Sequence, residues 1–386
     1  MGLSIGIVGL PNVGKSTLFN AITKNQVQAE NYPFCTIDPN VGVVGVPDDR
    51  LGKLAEVIPT KQIVPAVVEF VDIAGLVRGA AQGEGLGNQF LSHIRACDAI
   101  AEVIRVFSDS KVMHVEGKLD PVSDMETIKT ELILADLETV RKRREKLEKE
   151  LKANPKTQED LDTVKVVEEK LDNGISARDM GLSEKEIAKI RDLNLLTAKP
   201  HIYVFNGDES HLKNFDPSSV ILTNAGISKK ELDPRIREDD EKERDEKKRN
   251  INHNNFVVIS AKIEGELNQL SEAEKNEYLA ELGQKGSGLD NLIKKSFSLL
   301  GLATYFTAGE KEIKAWTIHQ GWTAPQAAGV IHGDFERGFI KAETVCWQDL
   351  YEQKGWAGAK SAGKVRLEGR DYVVRDGDVM IFKFNV

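Results

Sequence analysis

The sequence has no apolar run of about 18 residues, the length that a membrane-spanning helix needs. Met1 leads into the apolar segment Leu3–Val8 without the basic start that is typical of a signal peptide. The three cysteines, Cys35, Cys97 and Cys346, are odd in number and contain no C-x-x-C pair, which argues against a disulfide framework and against a zinc site. We therefore expect a cytoplasmic protein without membrane contact.

The chain also lacks an excess of basic charge. It has 61 Asp and Glu against 52 Lys and Arg, a formal net charge of −9, which argues against a uniformly basic nucleic-acid binder but leaves a local basic patch open. Its 29% charged and 40% hydrophobic residues are ordinary for a soluble protein, which excludes disorder of the chain as a whole. At roughly 100–200 residues per domain, 386 residues suggest two or three domains.

Short β-rich segments alternate with helical stretches in the N-terminal part of the chain. The predicted strands are Leu3–Val8, Val67–Asp72 and Val103–Phe107, and His201–Phe205 and Phe256–Ser260 predict two more buried strands. This alternation predicts βαβ units around a mostly parallel sheet. The fold class that we expect is therefore α/β.

A helix-forming segment, Thr127–Glu150, interrupts the alternation. Apolar residues recur in it at coiled-coil spacing, and the same stripe resumes after a break at Asn154-Pro155. The stripe consists of Ile133, Leu137, Val140, Leu147, Leu151, Leu161, Val164, Val167 and Leu171. The pattern predicts an antiparallel helical hairpin inserted into the α/β domain.

The sequence pattern changes again after Gly301. The predicted strands there are Ile313–Thr317, Gly338–Val345, Tyr372–Val374 and Val379–Phe384, with a turn at Asp376-Gly377 between the last two. We expect a small α+β domain at this end of the chain.

The segment Gly9–Ser16 matches the motif G-x-x-x-x-G-K-[ST] and lies between a predicted strand and a predicted helix. Glycines in this motif let consecutive backbone N–H groups face the β-phosphate of a nucleotide, and the N-terminus of the following helix adds its dipole. Lys15 bridges β- and γ-phosphate oxygens, and the hydroxyl of Ser16 ligates Mg²⁺. The alternative, a glycine-rich turn with an accidental Lys-Ser pair, is disfavoured by the preceding strand and by the partner residues that follow.

Two further segments supply the partners of a phosphate-binding loop. Asp72-Ile73-Ala74-Gly75 ends a buried strand, so the Asp72 carboxylate can hold Mg²⁺ through water and the Gly75 N–H can meet the γ-phosphate. Thr36 lies in the intervening stretch, where nucleotide switches supply a second hydroxyl to Mg²⁺. An ordinary exposed threonine is the alternative for Thr36.

The predicted strand His201–Phe205 is followed by Asn206-Gly207-Asp208-Glu209, where GTP-binding proteins have N-K-x-D. The Asp of N-K-x-D accepts hydrogen bonds from N1–H and N2–H₂ of guanine, whereas adenine has an unprotonated N1 and an N6 amine. Here Gly replaces Lys and Glu replaces Asp, and the chain has no N-K-x-D elsewhere. The motif argues against guanine more firmly than it argues for adenine.

With these motifs the chain resembles the YchF/Obg-like ATPases, a family of translation-factor-class P-loop proteins, over essentially its whole length. The segments that carry the resemblance are Gly9–Thr17, Asn31–Thr36, Phe70–Leu76, Gly83–Asn88, Asn206–Glu209, Ser260–Glu264 and Tyr305–Glu310, continuing to Asp376–Val379. In that family the motif is N-x-x-E in place of N-K-x-D, and Asn206 and Glu209 match its Asn and Glu. The chain departs from the family pattern in the charged stretch Glu231–Arg249 and in Gly207-Asp208.

The resemblance implies three parts and an activity. Residues 1–126 and 199–300 correspond to an OBG-type G domain of the P-loop NTPase class, residues 127–198 to a helical coiled-coil insertion, and residues 303–386 to a TGS domain of β-grasp type. The implied activity is hydrolysis of ATP in preference to GTP with Mg²⁺ as cofactor, and the implied partner is the ribosome with its rRNA. We expect a monomer.

The resemblance also implies which residues hold the nucleotide. Those at the phosphates are Asn12, Val13, Gly14, Lys15, Ser16, Thr17 and Gly75, those at the base are Asn206, Gly207, Glu209, Ser260 and Ala261, and those at Mg²⁺ are Ser16, Thr36 and Asp72. Asn12 matches the loop Asn that helps potassium-stimulated relatives to hold K⁺ beside the phosphates. A turn-forming Asn is a serious alternative for this residue.

Hydrolysis needs a group that positions water. Ras-like enzymes use a Gln directly after D-x-x-G, but this chain has Leu76 there, so we expect slow intrinsic hydrolysis. His114 matches the position of a functional histidine in the family, and an imidazole, with an unperturbed pKa of about 6.5, can polarise water at neutral pH. For a lone His between apolar residues, packing is the alternative role.

Two hypotheses on function remain open from the sequence. In the first, the protein is a slow ATPase whose nucleotide state switches a binding surface; in the second, it is chiefly a ribosome- or RNA-interaction protein in which nucleotide is structural. A GTPase is a further alternative. Candidate RNA contacts are the basic runs Arg141–Arg144 and Lys354, Lys360, Lys364, Arg366 and Arg370, for which solubilising surface charge is the alternative.

Overall fold

The computed structural model describes residues 3–24, 40–73, 86–108, 119–224, 255–284 and 286–385. The strands are β1 (Ser4–Val8), β2 (Val41–Gly45), β3 (Ile63–Val64), β4 (Val67–Asp72), β5 (Ala99–Arg105), β6 (His201–Asn206), β7 (Phe256–Ile259), β8 (Leu302–Ala308), β9 (Ile313–His319), β10 (Phe339–Cys346), β11 (Arg366–Glu368) and β12 (Asp378–Phe384).

The helices connect these strands or project from them. They are α1 (Lys15–Lys24), α2 (Asp49–Val57), α3 (Leu86–Ala96), α4 (Pro121–Leu151), α5 (Gln158–Asp172), α6 (Glu184–Ile190), α7 (Glu209–Asn214), α8 (Pro217–Asn224), α9 (Ala261–Leu267), α10 (Glu272–Glu281), α11 (Gly288–Leu299), α12 (Ala324–Ile331), α13 (Gly333–Arg337), α14 (Trp347–Glu352) and α15 (Trp356–Ser361). Within the described ranges, none of them combines the length and the apolar character that crossing a bilayer requires.

The first sheet has the strand order β2-β4-β1-β5-β6-β7, and every neighbouring pair is parallel except β2 with β4. All side chains of β5 are buried, as expected for a parallel strand that is covered on both faces by helices. The predicted α/β class with a mostly parallel sheet is confirmed. Because the strands are parallel, the loops that follow β1, β4, β6 and β7 all emerge at the carboxyl edge of this sheet, where ligands of such folds bind.

The helices α4 and α5 form a hairpin between β5 and β6. Arg144 on α4 pairs with Glu168 on α5 (2.9 Å), and Arg141 pairs with Asp172 (2.7 Å). Residues later in α4 pair with residues earlier in α5, so the two helices are antiparallel. The predicted apolar stripe lies between them and forms a buried cluster of its own.

The helix α4 begins before the predicted start at Thr127. Pro121 opens it, and the side chain of the preceding Asp120 accepts a hydrogen bond from Ser123 N (3.2 Å). An Asp cap followed by Pro is a strong helix start. Because Ile128 is buried in the core of the α/β domain, one continuous helix runs from that core into the hairpin.

The insertion returns to the place where it leaves the core. Asp136 on α4 is fully buried, and its carboxylate accepts hydrogen bonds from Leu196 N (2.8 Å), Thr197 N (2.8 Å) and Thr197 Oγ1 (2.7 Å). These two residues lie shortly before β6. The segment that re-enters the sheet is therefore attached to the helix that left it.

The second sheet is mixed and has the order β11-β10-β12-β8-β9-β3. Its strands β9, β10 and β12 contain the predicted strands Ile313–Thr317, most of Gly338–Val345, and Val379–Phe384. Its last strand, β3, comes from the N-terminal part of the chain and pairs in parallel with β9, Ile63 opposite Ile313. The N-terminal and C-terminal parts of the chain thus share a sheet.

The turn predicted at Asp376-Gly377 is present, with Asp378 N donating to Arg375 O (3.1 Å), but the strand predicted at Tyr372–Val374 is wrong. Val373 forms an isolated antiparallel bridge with Thr323, and β12 pairs with β10 and β8 instead. The reason lies in the turn residues. The Asp376 carboxylate accepts a hydrogen bond from Thr304 N (2.8 Å), and Gly377 N donates to Thr304 O (2.8 Å), so this turn is attached to β8 and does not close two neighbouring strands.

Candidate functional site

The motif Gly9–Ser16 forms the turn between β1 and α1. The helix begins at Lys15, and Leu18 N donates to Gly14 O (2.9 Å) in its first turn. Two residues of the turn have a left-handed backbone, Asn12 (φ 63°) and Gly14 (φ 92°). Asn is one of the few residues besides Gly that tolerate this conformation, so the turn-forming role of Asn12 is present; K⁺ binding by Asn12 stays a prediction.

Asn206, at the end of β6, joins the phosphate motif to the loop after β7. It is 4% exposed, its Nδ2 donates to Val13 O (2.9 Å), and its Oδ1 accepts from Ala261 N (3.0 Å). A Cβ at Gly14 would lie 2.1 Å from Asn206 Nδ2, so the glycine is needed for space as well as for its backbone. Four predicted nucleotide-binding residues meet here, and the amide of Asn206 serves to hold two loops together.

Lys15 and Asp72 form an ion pair. They meet because β1 and β4 are parallel neighbours, with Ile7 opposite Asp72. Lys15 is 9% exposed, and Asp72 N donates to Asn40 O (2.8 Å), which ties the end of β4 to the residue before β2. The predicted phosphate-binding lysine and the predicted Mg²⁺ ligand therefore lie in one place.

The donor set beside this ion pair fits Mg²⁺ that is brought by a nucleotide. In the part of the chain that the structure describes, no group of three or more His, Cys, Asp and Glu side chains could hold a metal ion. Magnesium in nucleotide sites needs no such group, because one or two protein oxygens, water and phosphate oxygens complete its octahedron. Ser16 and Thr17 are exposed in the first turn of α1, and Asp72 contributes the carboxylate.

On the base side, Gly207 directly follows β6 and Ser260 directly follows β7, and both residues are buried. Gly207 N donates to Ile259 O (2.8 Å), so the loop after β6 is held against the neighbouring strand. Ser260 is 3% exposed and directly precedes α9. The predicted base loop is therefore rigidly placed beside the phosphate motif.

The two carboxylates of the base motif have different surroundings. Asp208 caps α7, accepting from Ser210 N (3.0 Å), Ser210 Oγ (2.7 Å) and His211 N (3.3 Å). The hydrogen bond from Ser210 Oγ, with a smaller contribution from His211, lowers the pKa of Asp208 to about 2. The Glu209 side chain is 58% exposed and pairs with Lys213 (3.2 Å), one turn along the helix.

Sequence reasoning missed Arg105 and Phe107. Arg105 is 4% exposed, its guanidinium lies over the Phe107 ring (4.4 Å to the centroid), and it donates to Phe107 O (3.2 Å) and to Asn12 O (3.5 Å). The Phe107 ring would lie 3.9 Å from a Cβ at Gly14. The available signal was a charged residue at the end of a strand that is buried along its whole length. A charged side chain in such a place is expected to have a partner, but the sequence does not show which one.

Three predicted residues, Thr36, Gly75 and His114, lie outside the described residues. Their roles at Mg²⁺, at the γ-phosphate and in polarising water stay predictions.

The basic run Arg141–Arg144 is engaged in ion pairs inside the insertion. The pairs are Arg141–Glu168 (3.2 Å), Arg141–Asp172 (2.7 Å), Lys142–Glu138 (2.6 Å), Arg143–Asp192 (3.3 Å) and Arg144–Glu168 (2.9 Å). The C-terminal bases behave similarly, through Lys360–Glu343 (2.8 Å), Lys364–Asp349 (3.0 Å), Arg366–Glu368 (3.1 Å) and a hydrogen bond from Arg370 to Phe339 O (2.8 Å). An RNA phosphate would have to compete with these carboxylates.

Two protein families match separate parts of the chain. Residues 4–136 match the family described as 50S ribosome-binding GTPase. Residues 302–385 match the YchF-GTPase C-terminal family, described as a protein of unknown function.

Full-length relatives cover the whole chain. The ribosome-binding ATPase YchF of Bacillus subtilis (strain 168) is 53% identical over 387 residues, and that of Haemophilus influenzae is 48% identical over 387 residues, each over 100% of both chains. The structure of the Schizosaccharomyces pombe YchF GTPase superposes with a TM-score of 0.82 at 38% identity, covering 99% of this chain and 98% of that one. Two of these names specify ATP and one specifies GTP, so the names alone leave the base open.

Proposed function

The chain belongs to the YchF family, and from this premise we propose that it is a ribosome-binding P-loop ATPase that hydrolyses ATP slowly and whose nucleotide state controls its contact with the ribosome. The observation that carries the proposal is that the ion pair of Lys15 with Asp72 and the bond of Asn206 to Val13, in the phosphate turn, both lie at the carboxyl edge of the parallel sheet. Lys15 suits phosphate, Asp72 suits Mg²⁺, and Asn206 joins the phosphate turn to the base loop.

We propose that the phosphates bind at the N-terminus of α1. The first N–H groups of a helix have no partner within the helix, and together with the helix dipole they favour an anion there. The buried ammonium of Lys15 adds a full charge. When bound, Mg²⁺ would neutralise charge on the β- and γ-phosphates, and Ser16, Thr36 and Asp72 would be the residues that hold it. Lys15 would then leave Asp72 and contact phosphate oxygens.

At the base end we propose adenine. A guanine reader needs a carboxylate that is fixed towards N1–H and N2–H₂ of the base. Asp208 is used as the cap of α7, and Glu209 lies in solvent against Lys213. The arrangement supports loss of the guanine contact, and the names of the bacterial relatives support ATP.

For hydrolysis we propose that His114 supplies the group that Leu76 cannot. Both residues lie outside the described ranges, so this step rests on the sequence motif. Hydrolysis without such a group, or without a partner that supplies one, should be slow because nothing else orients the attacking water.

We propose that the helical insertion, residues 127–198, and a C-terminal TGS domain, residues 303–386, contact the ribosome. We also propose that the protein is a monomer and acts in the cytoplasm. The bacterial relatives are named for ribosome binding. Because Arg141–Arg144 and several of the C-terminal bases are already ion-paired, RNA phosphates would have to replace their carboxylate partners. We therefore expect the contact to depend on surface shape and to weaken with salt.

A GTPase is the second candidate, favoured by the name of the solved relative. Titration calorimetry with ATP, GTP, ADP and GDP on one preparation separates the two. We expect ATP to bind at least about fivefold tighter than GTP, which corresponds to about 1 kcal/mol. Tighter binding of GTP would reject the adenine assignment, and tight ATP binding without turnover, with and without ribosomes, would favour a structural role for the nucleotide.

A further inference from the structure

The base motif has a glycine, Gly207, at the position of the lysine of N-K-x-D. This glycine is not required by its backbone, because its φ lies outside the left-handed region. Its N–H donates to Ile259 O (2.8 Å). The side-chain amide of the preceding Asn206 donates to Val13 O and accepts from Ala261 N. The backbone at Gly207 is therefore held in place and cannot move aside for a side chain.

The space in front of Gly207 is filled by His211. A Cβ on Gly207 would lie 2.6 Å from His211 Cβ, 3.0 Å from His211 Cγ and 3.2 Å from Val106 Cγ2. Carbon atoms in contact are normally about 3.5–4.0 Å apart. No side chain, and least of all a lysine, fits at Gly207 while His211 holds its position.

His211 is itself held from two directions. Its ring Nδ1 lies 2.7 Å from Asp208 Oδ1, and its backbone N donates to the same oxygen (3.3 Å). The ring also meets Phe215 edge to face, with centroids 5.7 Å apart. The obstacle at Gly207 is thus the Cβ of a helical residue, which rotation about its side-chain bonds cannot move.

We infer that His211 is a specificity-determining residue of the nucleotide site: by filling the space at Gly207 it excludes the lysine of the guanine motif and so keeps the site from reading guanine. The inference rests on the proposed function, because base selectivity has meaning only in a nucleotide site. It also changes how guanine recognition can be restored. Exchanging Gly207→Lys and Glu209→Asp is not enough, since the new lysine collides with His211.

The first test separates the Cβ of His211 from its ring. His211→Ala keeps the Cβ and His211→Gly removes it, so Gly207→Ala should be costly in the first background and tolerated in the second. We expect Gly207→Ala to lower affinity for both ATP and GTP at least about tenfold beside His211→Ala, and less than about threefold beside His211→Gly. Asn214→Gly, at an exposed position of the same helix, controls for the glycine itself. An equal loss in both backgrounds would overturn the inference.

The second test measures selectivity directly. In Gly207→Lys with Glu209→Asp, adding His211→Gly should move the ratio of GTP to ATP affinity at least about fivefold towards GTP, while the same pair with His211→Ala should not. The same ratio in both triple variants would overturn the inference. Far-ultraviolet circular dichroism monitors folding. If a lysine variant does not fold, the alanine set still tests the collision at Gly207 on which the inference depends.

The two proposals fail in different ways. Tighter GTP than ATP binding by the parent protein rejects the adenine assignment and, with it, the claim that His211 keeps guanine out. An equal loss of affinity for Gly207→Ala in both backgrounds rejects the inference alone. The dependence of Gly207 variants on the residue at 211 is a difference between backgrounds and does not depend on which nucleotide the parent prefers.

Discussion

Arg50 and Asp376 form an ion pair, Nη1 to Oδ2 at 2.6 Å, between the helix that follows β2 and the turn that precedes β12. The same guanidinium pairs with Asp48 (2.7 Å) and lies over the Phe306 ring, 4.9 Å from its centroid. Asp376 in turn accepts from Thr304 N (2.8 Å). One arginine thus connects the segment that leads away from the nucleotide site to two strands of the C-terminal sheet.

Arg50→Ala should therefore weaken the attachment of the C-terminal part. Asp376 and Asp48 lose charge-assisted hydrogen bonds, each of about 1.5–3 kcal/mol, though solvent around Asp376 reduces its share. We expect a loss of about 1–3 kcal/mol of stability by urea unfolding and faster protease cleavage between the two parts. Tyr351→Phe, which removes an exposed bond to Glu56 (2.9 Å) in the same interface, is the control and should change stability by less than about 0.5 kcal/mol. An effect of Arg50→Ala no larger than that of the control would contradict the role of the pair.

Lys15→Ala should abolish productive binding of ATP, because the charge on the β- and γ-phosphates is then left without its buried partner. Ser16→Ala should chiefly remove the dependence on Mg²⁺, since it deletes a hydroxyl donor and leaves the lysine in place. Binding of a fluorescent ATP analogue with and without Mg²⁺ measures both effects. Normal ATP hydrolysis by Lys15→Ala would show that the phosphates bind elsewhere.

Asn206→Ala should reduce affinity for all nucleotides alike. It leaves Val13 O and Ala261 N without their side-chain partner, at about 1–3 kcal/mol for a buried group, or roughly 5- to 150-fold in affinity. Asn206→Asp keeps the acceptor for Ala261 N but places a carboxylate oxygen against Val13 O in a buried site, so it should lose at least as much. A change in the ratio of ATP to GTP affinity, with no general loss, would show that Asn206 contacts the base.

The buried pair of Glu102 and His201 should make stability fall between pH 6.5 and about 8. His201 Nε2 lies 2.8 Å from Glu102 Oε2. Burial raises the pKa of Glu102 from 4.5 to about 8 and lowers the pKa of His201 well below 6.5, with Arg178 and Asp124 as the nearby charges. The folded pair therefore keeps one proton up to about pH 8.

The unfolded chain sets the sign of this effect. Between pH 4.5 and 6.5 it also holds one proton, on the histidine, so the pair contributes little pH dependence. Above pH 6.5 only the folded state keeps the proton, and stability falls by up to about 1.4 kcal/mol per pH unit. In urea unfolding across this interval, Glu102→Gln should remove that decline, and equal slopes for the variant and the parent would reject it.

The ion pairs of the hairpin decide which substitutions can test its contact with the ribosome. Arg141→Glu with Arg144→Glu places new carboxylates against Glu168 and Asp172 and should destabilise the insertion by about 1–3 kcal/mol. Lys142→Glu with Lys146→Glu changes side chains that are 73% and 65% exposed and should cost less than about 0.5 kcal/mol.

Co-sedimentation with ribosomes across a salt series, in the presence of an ATP analogue or ADP, then reports on binding. If the hairpin contacts rRNA, the two-lysine variant should bind more weakly and with a shallower salt dependence, because each lost phosphate contact reduces the salt slope by about one. Unchanged binding would locate the contact outside the hairpin, and equal binding in both nucleotide states would remove the switch.

The phosphate turn, the parallel sheet and the meeting of Lys15 with Asp72 could be predicted because they follow from local patterns. A glycine-rich turn after one buried strand and a carboxylate at the end of another must come close when the strands are parallel. The partners of Asn206 could not be predicted, since the motif does not show which backbone groups an amide will meet. Arg105 was missed for the same reason.

The strand predicted at Tyr372–Val374 shows where local patterns are insufficient. An Asp-Gly pair between two apolar runs is a strong hairpin signal, but here a contact distant in sequence, with Thr304, is made by the same aspartate. The space at Gly207 was equally invisible, because it depends on the helix that follows the motif and on where Asp208 caps it.

Asp136, which fastens Leu196 and Thr197 to α4, also bears on the order in which the chain folds. β5 and β6 are adjacent in the sheet but are separated along the chain by the whole insertion, and the entropy lost on closing a loop grows with its length. The hairpin forms from contacts between near neighbours and can precede the sheet. Once formed, it brings the start of β6 close to β5, where His201 pairs with Ile100. We therefore expect the insertion to lower the entropy that is lost when these two strands pair.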